Sequence, residues 1–448
     1  MEIRKSNEPF IAQALGLIPR DPFRLLVDKH DSDANCKGFD TWTHLVTMVF
    51  SQLTGCESLR DLVGAIATTP ERVQQLYLRR LPTKSTLSYN NANRDWKVFQ
   101  DAFEMMVGEI TRRLPRGGRA FDFTNPLYSF DSSTISLSLS LFDWAYYRTR
   151  KGGVKIHTLL DNDTCLPVFV SISVAKEHDI IAARSLSLPQ GSIVAMDRGY
   201  VDYSLFYRWT QEGIFFVTRP KETMNYVVVK DLEIPASAVK PAEDESEEAD
   251  GKESGEAGQI AKKGKKGKKN SKKGLNRMQT RLLYKRSRPA CQVLKDQIIK
   301  LKSAKAASDC PIELRLVTIM DPVKNCEMQF VTNKFDLPPA TIADIYRDRW
   351  EVELFFKCIK QDLVIKSFLG VSENAVRIQL YTAMLAILIV KYLQILPEKI
   401  SWNFSNLIHL LRINWFTYKV LWDWLKVPHC EKKPPPDGSP VVQFHRLF

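Results

Sequence analysis

LYSFDSSTISLSLS, residues 127–140, is the stretch of this chain that decides the fold. Its serines alternate with isoleucine and leucine, and a period of two gives a β-strand one apolar and one polar face. Asp131 stands inside this strand. An acid in an apolar strand is costly to bury unless it is paired, hydrogen-bonded or bound to a cation. Asp131 is therefore a candidate functional carboxylate, and a turn-forming acid at the strand end is the alternative.

Three further strands are predicted after this one. GVKIHTLLD (153–161) and LPVFVSISVA (166–175) are rich in β-branched and apolar residues, and SIVAMDRGY (192–200) is a short buried run that ends in a polar turn. Residues 176–188, between the last two strands, predict a short helix. The order strand, strand, strand, helix, strand indicates the α/β class with a mixed sheet.

The last of these strands brings a second acid and a cation. Asp197 ends the strand, where it can be a functional carboxylate or cap a turn, and Arg198 after it can reach a phosphate or close the same turn. For His157, which lies in the second strand, we favour a packing or supporting role over metal ligation.

The region from 206 to 334 is predicted to be a largely β insertion. Strand-like segments occur at 213–221, 224–232, 313–321 and 326–334. Among them, a run with nine lysines, eight acids and almost no apolar residues predicts a disordered segment over 241–274. A solvated linker is favoured there over a contact between the lysines and DNA phosphates.

YRDRWEVELFFKCIK, residues 346–360, predicts a helix with one polar face. At about 100° per residue, four side chains fall within roughly 60° of one another: Tyr346, Arg349, Glu353 and Lys360. Glu351 lies roughly 160° from Glu353. Another side is expected to anchor the helix in a core: Trp350, Leu354 and Phe355. Taken alone, Arg349 and Glu353 could be an ordinary surface ion pair.

Helices are also predicted at both ends of the chain. Residues 1–115 show apolar recurrence at helical spacing, and Thr83 or Ser85 is a plausible N-cap of a short helix. Basic residues surround that helix: Arg79, Arg80, Lys84, Arg94 and Lys97. This unit resembles a helix-turn-helix reader of DNA, and a helical packing region with a solvated basic rim is the alternative. The C-terminal helices extend to about Leu425, and residues 426–448 predict an irregular tail.

Composition favours a polyanionic partner. The chain of 448 residues carries a net charge of +13, of which the charged run contributes only +1. Eight scattered cysteines without metal-ligand spacing fit a reducing cytoplasm. The most apolar run, 380–396, is interrupted by Lys391 and Gln394, so we expect a buried helix and no membrane partner.

Three acids without a nearby Cys or His pair select a hard cation, Mg²⁺ or Mn²⁺. Two such ions can activate a water or a 3′-hydroxyl in phosphodiester transfer. The three candidate ligands are Asp131, Asp197 and Glu353.

The helix carries the spacing Tyr-x2-Arg-x3-Glu-x6-Lys at Tyr346, Arg349, Glu353 and Lys360. This spacing resembles the signature of the IS-four family of DDE-class insertion-sequence transposases. The sequences around Asp131 and Asp197 resemble the first two acidic blocks of that family, and residues 41–63 are similar to the N-terminal helical region of one branch. The charged run departs from the pattern of the family.

The resemblance implies a ribonuclease-H-like catalytic core, 118–205 and 335–425, with the β insertion at 206–334 and an all-helical DNA-binding region at 1–115. The three acids would be the catalytic residues and would bind two Mg²⁺ ions, for which Mn²⁺ can substitute. The DNA would be positioned by three residues of the signature, Tyr346, Arg349 and Lys360. Arg198 is a further candidate contact.

The function implied is cut-and-paste transposition at terminal inverted repeats, with transposon-end and target DNA as partners. The resemblance also suggests a homodimer in the synaptic complex and a bacterial cytoplasmic, nucleoid-associated location. A stand-alone metal-dependent nuclease and a DNA-binding protein with lapsed catalysis are the competing interpretations. The presence of all three acids argues against the last one.

Overall fold

The computed structural model describes eleven ranges of the chain: 3–34, 36–68, 76–114, 121, 123–138, 140–148, 151–234, 291–321, 325–365, 367–397 and 402–427. The expected disordered run at 241–274 lies outside these ranges, and so does the C-terminal tail beyond residue 427.

The helical elements fall at both ends of the chain and between strands. They are α1 Phe10–Leu15, α2 Arg20–Lys29, α3 Thr41–Thr54, α4 Leu59–Thr68, α5 Lys84–Asn93, α6 Lys97–Arg113, α7 Asp179–Arg184, α8 Tyr203–Gln211, α9 Ala304–Asp309, α10 Pro339–Asp348, α11 Trp350–Asp362, α12 Glu373–Ile395, α13 Phe404–Asn414 and α14 Leu421–Leu425. Short 3₁₀ turns cover Asp143–Ala145 and Arg198–Tyr200.

Ten strands form one sheet within the described residues. They are β1 Leu127–Leu137, β2 Tyr146–Arg148, β3 Lys151–Asp161, β4 Pro167–Val174, β5 Ile193–Met196, β6 Phe215–Thr218, β7 Tyr226–Asp231, β8 Gln292–Leu301, β9 Leu314–Asp321 and β10 Cys326–Thr332.

The first half of the sheet has ribonuclease-H-like topology, as expected from the sequence. β3 is antiparallel to both β1 and β4, whereas β5 lies parallel to β1 and β6 lies parallel to β5. Three antiparallel strands followed by two parallel strands give the order β4-β3-β1-β5-β6. The carboxyl ends of β1 and β5 therefore reach the same region of the sheet.

The remaining strands extend the same sheet rather than forming a separate one. β10 pairs antiparallel with β6, and β9, β8 and β7 follow in that order. The sequence did not predict β8, whose ten residues mix lysine, aspartate and glutamine with apolar side chains. A buried bidentate ion pair, Arg315 with Asp296 at 2.8 and 2.6 Å, ties β9 to β8. Arg315 also donates to the carbonyl of Leu337, just before α10.

Helices cover both faces of the sheet. α7, α8 and α9 pack on the face that carries Phe130 and Met196, whereas α10 packs on the face that carries Leu127 and Ala195. The N-terminal helices share one apolar core with α11, α12 and α13. α12 is long and apolar enough to cross a membrane, but 94% of its most apolar window is buried in this core. The expectation of a buried helix there is confirmed.

The helix predicted across residues 346–360 is broken at Arg349. α10 ends at Asp348 and α11 begins at Trp350, and the amides of Arg349 and Val352 donate to carbonyls only three residues back. The expectation of an apolar anchor at Trp350 and Leu354 is wrong, because these side chains are 57% and 47% exposed. The buried side of α11 consists of Val352, Phe355, Phe356 and Ile359.

Candidate active site

The strand register brings Asp131 and Asp197 together. Phe130 pairs with Met196 across the parallel β1 and β5, so the next residues, Asp131 within β1 and Asp197 just after β5, stand at neighbouring positions about 5 Å apart. Side chains alternate between the faces of a strand. Since Phe130 and Met196 face α7 and α8, both acids face the side covered by α10 and α11.

The break between α10 and α11 is held from the sheet. The carbonyl of Asp348 would accept from the amide of Val352 in an unbroken helix. Instead it accepts from Ser129 Oγ on β1 and from Asn162 Nδ2, both at long distances of 3.4 and 3.5 Å. Ser129 is fully buried and lies two residues before Asp131. The strand that carries the first acid therefore also positions the residue at the break, Arg349.

Arg349 joins the first acid to the third. One guanidinium nitrogen donates to Asp131 Oδ2 at 2.8 Å, and the other donates to Glu353 Oε1 at 2.7 Å. The Arg349 side chain is only 13% exposed. A pair of ionic contacts at this depth is not the ordinary surface ion pair that the sequence left open. The structure thus brings all three predicted acids to one place.

The electrostatics of the site centre on Asp131. The pKa of Asp131 is raised to about 6, mainly by burial; the charge of Arg349 and the amide of Ser132 oppose this shift, and the charges of Asp197 and Glu353 add to it. That amide donates to Asp131 Oδ1 at 2.7 Å. Three carboxyl groups that repel one another in a partly buried site favour binding of a cation.

The predicted DNA-contacting residues differ in exposure. Tyr346 is buried, with its ring centroid 4.9 Å from that of Phe330 and 5.4 Å from the Arg349 guanidinium carbon. Lys360 Nζ donates to the carbonyl of Thr134 on β1 at 3.1 Å. Arg198 is half exposed and forms an ion pair of 2.8 Å with Glu222. Lys360 and Arg198 thus lie nearer the solvent than Tyr346 and Arg349.

The opposite face of β1 carries a polar cluster that includes His157. Ser132 Oγ donates to Asp179 Oδ1 at 3.1 Å, and Lys155 Nζ lies 3.0 Å from the same oxygen. His157 is buried, with Nε2 2.9 Å from Ser173 Oγ. Its described contacts are with this cluster and not with the three acids, which supports the packing role favoured from the sequence.

Arg219 is a neighbour of the site that the sequence did not single out. Ala195 pairs with Val217 across β5 and β6, so Arg219 stands beside Asp197 in the parallel register. Burial is the main cause that raises the pKa of Tyr346, and the Arg219 charge acts on the same phenol in the opposite direction. The available signal was a charged side chain directly after a short buried strand, the position that also marks Asp197.

The donor set fits a hard divalent cation, although the three acids are not arranged as a finished metal site. Carboxylate oxygens are the ligands that Mg²⁺ and Mn²⁺ prefer. Within the described ranges, no group of three His, Cys, Asp or Glu side chains is close enough to hold a metal ion. Arg349 stands between two of the acids and takes one oxygen of each. Its displacement would free the oxygens that a metal needs.

A second polar surface lies on α5. Thr83 caps this helix by accepting from the amide of Thr86, as predicted. Asn374 on α12 donates to the carbonyls of Asn91 and Arg94, which fixes the end of α5. The outward side chains are polar or small, with Tyr89 68% exposed: Lys84, Ser85, Ser88, Tyr89, Ala92 and Asn93. α5 contains no acidic residue, and exposed Lys37 and Arg80 flank it.

A catalytic-domain family matches the region that contains this site. The family model of the transposase DDE domain matches residues 123–389, more than half of the chain, and a domain of unknown function matches residues 6–76. The chain belongs to the DDE transposase family. It is a DNA transposase, an enzyme of DNA cleavage and strand transfer, and members of its family use a divalent metal ion.

Individual proteins similar to this chain support the assignment to this family. A protein of Sinorhizobium fredii named as the transposase y4zB is 30% identical over 68% of this chain and 70% of its own length. A Geobacillus stearothermophilus protein, named as a transposase for the insertion sequence element IS5377, is 23% identical over 76% of this chain and 74% of its own.

Two further likenesses are narrower. A Synechocystis protein named as a transposase for the element IS4SA is 38% identical over 19% of this chain and 23% of its own length. Among solved structures, the piggyBac transposase synaptic complex with hairpin DNA aligns at 10% identity over 96% of this chain and 86% of that one. Its TM-score of 0.41 is too low to define a shared fold.

Proposed function

We propose that this chain is a cut-and-paste transposase of the IS-four family. It would hydrolyse phosphodiester bonds at terminal inverted repeats and join the freed 3′-hydroxyls to target DNA. The observation that carries the proposal is the meeting of Asp131 and Asp197 on one sheet face with Glu353, linked through Arg349. The spacing from Tyr346 to Lys360 supports the assignment to this family.

Asp131, Asp197 and Glu353 are proposed as the catalytic carboxylates that hold two Mg²⁺ ions, with Mn²⁺ as a substitute. When bound, such ions lower the pKa of an attacking hydroxyl or water and stabilise the leaving oxygen. The protein itself orients the ligands. The Ser132 amide fixes one oxygen of Asp131, and the paired strands β1 and β5 fix the spacing of the first two acids.

The remaining signature residues are proposed to position the transposon end. Arg349 can hold a phosphate in a bidentate manner, and Tyr346 packs beside its guanidinium and limits its orientation. Lys360 and Arg198 are nearer the solvent and can reach phosphates directly. Arg219, beside Asp197, adds a further cation at the same edge of the sheet.

The exposed face of α5 is proposed to contact the duplex of the terminal repeat. Its outward side chains can hydrogen-bond to DNA, it carries no acid, and Lys37 and Arg80 flank it. Arg80→Gln and Lys84→Gln should each weaken binding to a repeat duplex. Each should also reduce the slope of log affinity against log salt concentration by about one. Arg208→Gln, on α8 across the sheet, is the control. Unchanged affinity in the first two variants would remove α5 from the interface.

The assembly and location follow from the same proposal. A homodimer would hold both transposon ends in a synaptic complex and capture target DNA, and the enzyme would act in the bacterial cytoplasm at the nucleoid. The division proposed is a helical DNA-binding region at 1–115, a catalytic core at 118–205 and 335–425, and a largely β insertion at 206–334. Four described strands within that insertion support it, β7, β8, β9 and β10, while β6 lies within the same bounds but completes the ribonuclease-H-like strand order.

Cleavage and joining of a labelled terminal-repeat duplex in Mg²⁺ test this function. Asp131→Ala, Asp197→Ala and Glu353→Ala should each abolish cleavage and leave binding of the duplex largely intact. Glu351→Ala, two residues from Glu353 on the same helix, should retain cleavage. Full activity in one of the three variants would remove that acid from the site. Cleavage by the wild type without any joining to a second duplex would instead indicate a nuclease.

A further inference from the structure

Arg349 uses the atoms that a metal ion would need. Its two terminal nitrogens lie 2.8 Å from Asp131 Oδ2 and 2.7 Å from Glu353 Oε1. The second oxygen of Asp131 accepts from the Ser132 amide. A carboxylate oxygen that accepts from a guanidinium has one lone pair fewer for a cation, and a divalent cation about 2.1 Å from it would be repelled by the nearby guanidinium charge.

The bridge is built into the fold and is not a chance surface contact. Arg349 stands at the break between α10 and α11, and Ser129 and Asn162 on the sheet side hold the carbonyl that precedes it. Tyr346 lies against the guanidinium and packs in turn on Phe330. The side chain is therefore directed towards the acids by residues from α10, β1 and β10.

We propose that Arg349 and the metal compete for the same oxygens of Asp131 and Glu353, and that metal binding displaces Arg349 towards a DNA phosphate. The inference rests on the proposed function, since it takes these acids to be metal ligands. Arg349 then has two alternating partners of the same chemistry, a carboxylate pair and a phosphate, both of which its planar fork can hold. Metal binding and binding of the DNA end are then coupled through the Arg349 side chain.

Competition predicts that removal of Arg349 tightens metal binding in the absence of DNA. Mn²⁺ binding to the full chain can be measured by titration calorimetry and by the electron paramagnetic resonance signal of free Mn²⁺. Arg349→Gln should bind Mn²⁺ about tenfold more tightly than the wild type, because a charged hydrogen bond to each ligand no longer has to be broken. Arg347→Gln is the matched control, since Arg347 pairs with Asp344 instead.

Arg349→Lys separates displacement from simple charge repulsion. Lysine keeps the positive charge but cannot bridge two carboxylates with one planar group. Competition for shared oxygens predicts that Arg349→Lys also binds Mn²⁺ more tightly than the wild type. Affinity equal to the wild type in Arg349→Lys, with tighter binding only in Arg349→Gln, would overturn the exchange. Thermal melts followed by circular dichroism verify that each variant is folded.

Failure of this inference is distinguishable from failure of the proposed function. Asp197→Asn and Glu353→Gln should each weaken Mn²⁺ binding. If both bind Mn²⁺ as the wild type does, the three acids are not the metal site and the ligand assignment of the proposed function is overturned. If both weaken binding but Arg349→Gln leaves it unchanged, only the competition is overturned.

Discussion

At the scale of single residues, two buried histidines make the stability of this protein depend on pH. Burial lowers the pKa of His44 to about 3 and that of His157 to about 4. His44 has Asn91 Oδ1 as its described hydrogen-bond partner and His157 has Ser173 Oγ, while His157 Nδ1 also lies 3.7 Å from Asp179 Oδ1. Both rings therefore remain neutral in the folded protein at pH values where the unfolded chain takes up protons.

The free energy of unfolding should fall as the pH drops below about 6.5, the ordinary pKa of histidine. The contribution of the two neutral histidines to stability is complete above about pH 6.5. It is lost as the pH falls towards the pKa values of these histidines in the folded protein, because only the unfolded state binds the protons over that range. Each histidine should contribute up to about 1.4 kcal/mol per pH unit. Urea unfolding near pH 7 and near pH 5 measures this slope, which His157→Gln should reduce.

His178→Gln is the control for that experiment, because this histidine is exposed to solvent. The slope of this variant should match that of the wild type. An equal slope in His157→Gln and the wild type would contradict the assignment of His157 as a neutral interior group.

The sequence revealed the acids but not the contact between them. Asp131 and Asp197 were recognisable because a carboxylate in or beside a buried strand needs a reason to be there. The bridge through Arg349 depends on strand register and on a helix break that Ser129 and Asn162 hold from elsewhere in the chain. Such tertiary contacts are not encoded in local periodicity.

At the scale of elements, the period-two strands of the core were predictable and β8 was not. β1, β3, β4 and β5 carry apolar side chains in patterns typical of strands, and their positions are confirmed. β8 mixes charged and apolar residues, and Asp296 within it is buried by pairing with Arg315 from β9. A partner strand decided its conformation where its own pattern was ambiguous.

The expected orientation of α11 is correct for Phe355 but wrong for Trp350 and Leu354, since helical spacing alone cannot show which apolar stripe faces the core. Leu354 is 47% exposed and Ile359 is 1% exposed, although they are similar in size and lie on the same helix. Ile359→Ala should lower the free energy of unfolding by about 2 to 5 kcal/mol. Leu354→Ala should change it by less than about 1 kcal/mol.

Urea unfolding of the two variants under the same conditions provides the comparison. Each truncates an aliphatic side chain to alanine in α11, so differences in helix propensity remain small. A larger loss for Leu354→Ala than for Ile359→Ala would place the opposite face of α11 in the core and contradict this orientation.

At the scale of the whole molecule, the proposed insertion and the proposed catalytic core share one continuous sheet. The sheet runs without interruption from β4 through β6 to β7 within the described residues. Arg315 binds Asp296 and also donates to the carbonyl of Leu337, which leads into α10 and so towards Arg349. The proposed insertion thereby supports the helices that complete the candidate active site.

The charged run at 241–274 is expected to be dispensable for this unit. β7 and β8, which flank it in sequence, pair from Tyr226 with Leu301 to Asp231 with Gln297. Deletion of residues 241–274 should leave the free energy of unfolding unchanged, because the run offers almost no apolar surface to bury. Urea unfolding measures this directly. A loss of more than about 1 kcal/mol would show that the run contributes to the fold.

DNA binding by the same deletion variant tests whether the lysines of this run act on phosphates. A solvated linker predicts unchanged cleavage and an unchanged dependence of duplex affinity on salt, since the nine lysines are nearly balanced by eight acids. A full-length control with those lysines replaced by glutamine separates the loss of charge from the shortening of the chain. If both variants fold normally but show a weaker salt dependence, the lysine block contacts phosphates and the linker interpretation fails.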